Sequence, residues 1–93
     1  MPDLRISCSI VSRANIILQV EYATSEITYY EKTMELLLKT IEISKYYKGF
    51  TIPTEEAIEP QVDEEYPFAA ACYLKFSTYD GAIKFVENIN PNR

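Results

Sequence analysis

The sequence predicts an α+β domain, a two-layer ββαββα sandwich with two helices on one face of an antiparallel sheet. Three observations predict it. Residues 68–76, Phe-Ala-Ala-Ala-Cys-Tyr-Leu-Lys-Phe, alternate between two faces, and Asp80 to Ile89 then repeats on a helical period. Two further alternating segments open the chain. A long apolar-periodic stretch lies between them and the acidic, proline-rich residues that precede the last strand.

The first strand is predicted over 4–11, with Leu4, Ile6, Cys8 and Ile10 on one face and Arg5, Ser7, Ser9 and Val11 on the other. Ser12-Arg13-Ala14-Asn15 turns the chain into a second strand over 16–23. Thr24 or Ser25 is expected to cap a helix from about 25 to 47, with Glu26 in its first turn and Gly49 as its terminator. Ile27, Tyr30, Met34, Leu37, Leu38 and Ile41 form its main apolar stripe, expected to face the sheet. Tyr29, Leu36, Ile43 and Tyr47 form a second stripe, a candidate contact with the other helix or with a second copy in a homodimer. A short strand is predicted at 50–52, cut off by Pro53. The last strand is placed at about 67–77 and the last helix at about 79–89, burying Ala82, Phe85, Val86 and Ile89.

With right-handed crossovers, this order resembles a circularly permuted ferredoxin-like sandwich whose last strand has moved to the front. The expected sheet order is first, second, fourth, third. Cys8 and Cys72 then lie on strands that the second strand separates, and no disulfide joins them.

Ninety-three residues make a single domain, 1–93. The composition, 47% hydrophobic and 25% charged, is that of an ordinary globular domain. Its net charge of −5 disfavours nucleic acid and anionic membrane as partners, since both are held by Lys and Arg. The acidity is local. Residues 53–67 contain Glu55, Glu56, Glu59, Asp63, Glu64 and Glu65, three prolines and no basic residue. The whole chain carries −5 and this stretch −6, so the other residues together carry +1. A loop of that length in a compact domain is usually functional or disordered. A protein partner with a basic surface is expected at these six acids, with Tyr73 on the open sheet face as a further contact.

Several chemistries are excluded. The chain has no histidine, which removes Ser-His-Asp and Cys-His catalysis. Two cysteines cannot make a four-ligand zinc site, and two glycines make no phosphate-cradling loop. Neither cysteine has a basic neighbour, so both are expected as core thiols. No cofactor and no metal are expected. No apolar run reaches the roughly 18–20 residues of a membrane span, and the first residues lack a secretory pattern. Cytoplasmic residence is the expectation, in the host cytoplasm if the gene is viral.

Residues 69–90 resemble the third strand and second helix of an RNA-recognition motif, with Tyr73 and Phe76 at aromatic positions of its RNP1-like segment. Ala69 stands where that motif has Lys or Arg, and Ala71 where it has a stacking aromatic. The resemblance therefore implies shared sheet geometry and no RNA-binding surface.

The functional expectation is a non-enzymatic protein-interaction or regulatory module, homodimeric, that engages a basic partner through the acidic loop. One version is an inhibitor that mimics nucleic acid. The alternative is a small-molecule or nucleotide sensor with its ligand at a dimer interface. Third is a cofactor-free enzyme relying on Tyr73, Glu21 or Arg13.

Overall fold

The computed structural model describes residues 3–53 and 64–89. It has two layers, a four-stranded antiparallel sheet and two helices, and is α+β. The strands are β1 (Leu4–Ser12), β2 (Ile17–Thr24), β3 (Gly49–Ile52) and β4 (Phe68–Phe76). The helices are α1 (Tyr30–Lys45) and α2 (Tyr79–Ile89), with a 3₁₀ turn at Ile27–Tyr29 before α1. The sheet order is β1-β2-β4-β3, the order expected from the sequence.

Register places the side chains. Cys8, Val20 and Cys72 form one row across β1, β2 and β4. Both cysteines are free, separated by two strand spacings, or about 10 Å. A disulfide needs Cα atoms within about 7 Å. The helix-side face of the sheet supplies Leu18, Val20, Tyr22, Leu74 and Phe76 to the core, where Ala82 and Phe85 of α2 join them. Phe85 packs against Phe76 with ring centroids 5.1 Å apart and meets Tyr47 edge-on at 6.3 Å.

α2 has the expected bounds, buries Ala82 and Phe85, and packs Val86 and Ile89 partly against the core. α1 departs from expectation in three ways. It begins at Tyr30, because the chain after Thr24 first makes the 3₁₀ turn. Thr24 still satisfies one amide near this end, since its Oγ1 accepts from the Glu26 N–H at 3.2 Å. The residue in the left-handed region after α1 is Lys48, with φ of 64°, not Gly49. Gly49 is a glycine for another reason: a Cβ there would lie 2.6 Å from the Phe76 ring.

The third departure is the face α1 turns to the sheet. Thr33, Thr40 and Ser44 are buried, and Leu36, Leu37, Ile41, Ile43 and Tyr47 pack partly against the core. Four of the six residues of the stripe expected to be buried face outward instead, Leu37 and Ile41 being the exceptions. Ile27 is 67% exposed, Met34 47% and Leu38 64%, and Tyr30 is exposed as well. Large side chains on the sheet and on α2 explain this arrangement. Tyr22, Phe76 and Phe85 take the volume, so the helix closes on them with small residues. The buried hydroxyls are satisfied locally: Thr33 donates to the Tyr30 carbonyl, Thr40 to Leu36 and Ser44 to Ile41.

Candidate functional site

The acidic segment was the sequence's main candidate. Glu55, Glu56, Glu59 and Asp63 lie outside the described residues. Glu64 and Glu65 are exposed just before β4. Leu4, Thr24 and Phe68 are in register across the sheet, so residues flanking these positions meet at one end of it. Asp3, Glu26, Glu31 in the first turn of α1, Glu64 and Glu65 all flank that end, and all are exposed. The acidity is therefore wider than the 53–67 segment. Asp3, Glu26 and Glu31 are scattered along the chain, and only the strand order brings them to the same end. That order was readable from the sequence, so the signal was there to be combined.

Tyr73 is not a surface residue. Register puts it on the sheet face away from the helices, between Gln19 and Ile52, but it is only 2% exposed. The outer face is not the open platform that alternation implies. Ala23 on the same face is 1% exposed. Arg5, Ala23 and Ala69 are in register, and the Arg5 guanidinium lies 4.7 Å from the centre of the Tyr66 ring. This cation–π contact ties β1 to the residues just before β4. Phe76, the second aromatic of the RNP1-like segment, is in the helix-side core.

The Tyr29, Leu36, Ile43 and Tyr47 stripe, proposed from sequence as a dimer contact, is half-buried, with Tyr29 just before α1 and Tyr47 just after it. Leu36, Ile43 and Tyr47 pack against this chain's own core, and Tyr47 meets the second helix through Phe85. Among the described residues the exposed apolar surface includes Ile27, Tyr30, Met34 and Leu38 before and along α1, Leu4 and Ile10 of β1, and Tyr46, Phe50, Tyr79 and Ile83 elsewhere. β1 keeps Leu4 and Ile10 exposed because the core lies mainly over β2 and β4.

No family model matches the chain, and no curated protein or solved structure matches it.

The two thiols are poor nucleophiles. Burial pushes the Cys8 thiol up to about 11. Burial, with a smaller contribution from Cys8, pushes Cys72 up to about 11 as well. The thiolate is the reactive form, so at neutral pH both stay protonated and unreactive. Burial also raises the Tyr22 hydroxyl above its ordinary value. Of the cofactor-free enzyme candidates, Tyr73 is buried, Arg13 lies exposed at the hairpin turn, and Glu21 is half-buried on the outer face.

An apolar cavity lies between Arg13, Ile16 and Leu18 of the hairpin and Tyr79, Ala82 and Ile83 of α2. It has about 20 Å³ of usable space, enough for one water and too small for a metabolite. Among the described residues no helix is long and apolar enough to cross a membrane.

Proposed function

We propose that the chain is a non-enzymatic protein-interaction or regulatory module that forms a homodimer and engages a basic protein partner through its acidic segment. The observation that carries this reading is the convergence of exposed carboxylates at one end of the sheet. Asp3, Glu26, Glu31, Glu64 and Glu65 come from four parts of the chain and flank a single row, Leu4–Thr24–Phe68. The sequence adds four more acids, Glu55, Glu56, Glu59 and Asp63, directly before Glu64. Clustered like charge raises the local concentration of an oppositely charged partner and accelerates its encounter. A partner whose basic surface normally holds nucleic acid has the matching chemistry, which makes inhibition by mimicry the sharpest form of the proposal. The sheet order, with both helices on one side, supports reading the sandwich as a permuted ferredoxin-like one.

The test is capture of partners from the source cell with the tagged full chain and elution by rising salt. A stoichiometric basic protein released at moderate salt is the expected result. Changing Glu55, Glu56, Glu59, Glu64 and Glu65 to Gln and Asp63 to Asn is expected to abolish the capture. A partner retained by the neutralised variant, or no partner at all, rejects the reading.

A further inference from the structure

The two edges of the sheet are built differently. β3 has four residues and is followed by Pro53, which cannot donate to a ladder. β1 has nine residues and, among the described residues, pairs with β2 alone. It contains no proline, lysine or carboxylate. Its one irregularity lies near its end, between Ile10 and Ser12. Its one charge, Arg5, is turned to Tyr66 on the outer face. A long regular edge presents a row of backbone donors and acceptors, and proteins usually blunt such a row with charge, proline or a bulge. Here the central part of the strand carries none of these.

The side chains of β1 are undefended too. On the helix side Leu4 and Ile10 are exposed, and Ile6 and Cys8 are half-buried. On the outer side Ser7 and Ser9 are exposed, small and neutral.

The two ends of this edge differ in charge. Carboxylates flank the Leu4 end. The Ser12 end carries Arg13 in the hairpin turn, and Arg13 is exposed. An antiparallel neighbour of the same sequence places its Arg13 end against the acidic end of the first copy, twice by symmetry. A parallel neighbour places acid against acid.

The geometry points to a second copy of this chain as the occupant of the β1 edge, the two copies pairing antiparallel about a two-fold axis to make one eight-stranded sheet. The inference rests on the homodimer part of the proposed function and names its surface. In an antiparallel pair, opposed residues share a face. Leu4, Ile6, Cys8 and Ile10 of one copy therefore oppose the same set in the other, and the serines oppose the outer-face set. An interface on a two-fold axis must be self-complementary in this way.

The test is the mass of the full chain by sedimentation across a wide dilution series. A dimer is expected. Ile10→Lys puts a charge into the exposed helix-side row of the edge and is expected to yield a monomer. Ser9→Lys, on the opposite face of the same strand, is the second variant should the first fail to fold, as read by circular dichroism. Arg13→Glu removes the contact twice by symmetry and is expected to weaken the dimer about two- to thirty-fold, the scale of two exposed ion pairs. Leu38→Lys, on the exposed ridge of α1, is expected to leave the dimer intact. A monomer at every concentration overturns the inference. So does a dimer that survives both β1 variants, or one that Leu38→Lys dissociates. Partner capture fails separately: a monomer that still retains a basic protein overturns only the self-pairing, and a dimer without that partner supports the self-pairing alone.

Discussion

The hydroxyls of Tyr22 on β2 and Thr40 on α1 lie 2.6 Å apart, buried between sheet and helix. Thr40 gives its own proton to the Leu36 carbonyl at 2.9 Å, so Tyr22 is the donor in the pair. Sheet and helix are thus joined by a short polar chain between their buried faces. Removing the acceptor is worse than removing the donor. Thr40→Val leaves a buried phenolic hydroxyl with no partner and is expected to cost about 1–3 kcal/mol. Tyr22→Phe leaves Thr40 still bonded to Leu36 and is expected to cost about 0.5–1.5 kcal/mol. The double variant is expected to cost less than the sum, which urea titration of all four proteins measures. Strict additivity would show that the two hydroxyls do not interact.

The thiols predict an alkaline weakness. Cys8 and Cys72 are raised from 9.0 to about 11 in the folded chain. Above about pH 9 the unfolded thiols lose their protons while the folded ones keep theirs. The native state then binds more protons than the unfolded state, so stability falls as pH rises. The contribution is intact below pH 9 and is lost between pH 9 and about 11. Each thiol sets an upper bound of about 1.4 kcal/mol per pH unit, reduced by the solvent both half-buried groups retain. Urea midpoints across this range are expected to decline less steeply in the Cys8→Ala, Cys72→Ala double variant. An equal decline in both proteins would rule out the thiols as its source.

Gly81 fixes the approach of α2 to the turn that follows α1. A Cβ at this position would lie 2.5 Å from the Tyr47 carbonyl oxygen and 3.0 Å from the Thr78 hydroxyl. The first contact is backbone, which cannot rotate aside. Gly81→Ala gains about 1 kcal/mol of helix propensity. Overpacking of about 1–3 kcal/mol is expected to outweigh it. A lowered urea midpoint is the expected result, and a raised one would mean that α2 slides away from the turn after α1 freely.

Most of the fold was legible because its signals are local. Strand alternation and the spacing of Ala82, Phe85, Val86 and Ile89 gave the elements, and crossover rules gave the sheet order. The orientation of α1 was not legible. Apolar periodicity favours the stripe with the larger side chains, Tyr30, Met34 and Leu38, and those point outward. Burial was decided by volume across the layers, where Tyr22 and Phe76 leave room for Thr33, Thr40 and Ser44. Tyr73 was misplaced for a related reason: alternation assigns a face but not what lies over it. Of the candidate site, only Glu64 and Glu65 were both readable in sequence and found exposed. The acids that join them at the sheet end became apparent only when topology was applied to single charges.

Lys48 and Gly49 are neighbours whose substitutions are expected to act in opposite directions. Lys48 holds the left-handed conformation that ends the turn after α1, with φ of 64°. A residue with a Cβ pays about 1–2 kcal/mol there, and glycine does not. The lysine side chain is exposed, and both backbone bonds of residue 48 survive the change: its N–H donates to Lys45 and its carbonyl accepts from Ser77. Lys48→Gly is therefore expected to stabilise the fold by about 0.5–1 kcal/mol, the strain relieved less the entropy glycine adds to the unfolded chain. Lys48→Ala keeps the Cβ and is expected to gain nothing. Gly49 has no positive φ to relieve, and Gly49→Ala drives a methyl into the Phe76 ring. That variant is expected to lose about 1–3 kcal/mol. Urea midpoints of the three proteins separate backbone strain at one residue from side-chain crowding at the next. A destabilised Lys48→Gly would show that the lysine is held there by something other than its backbone.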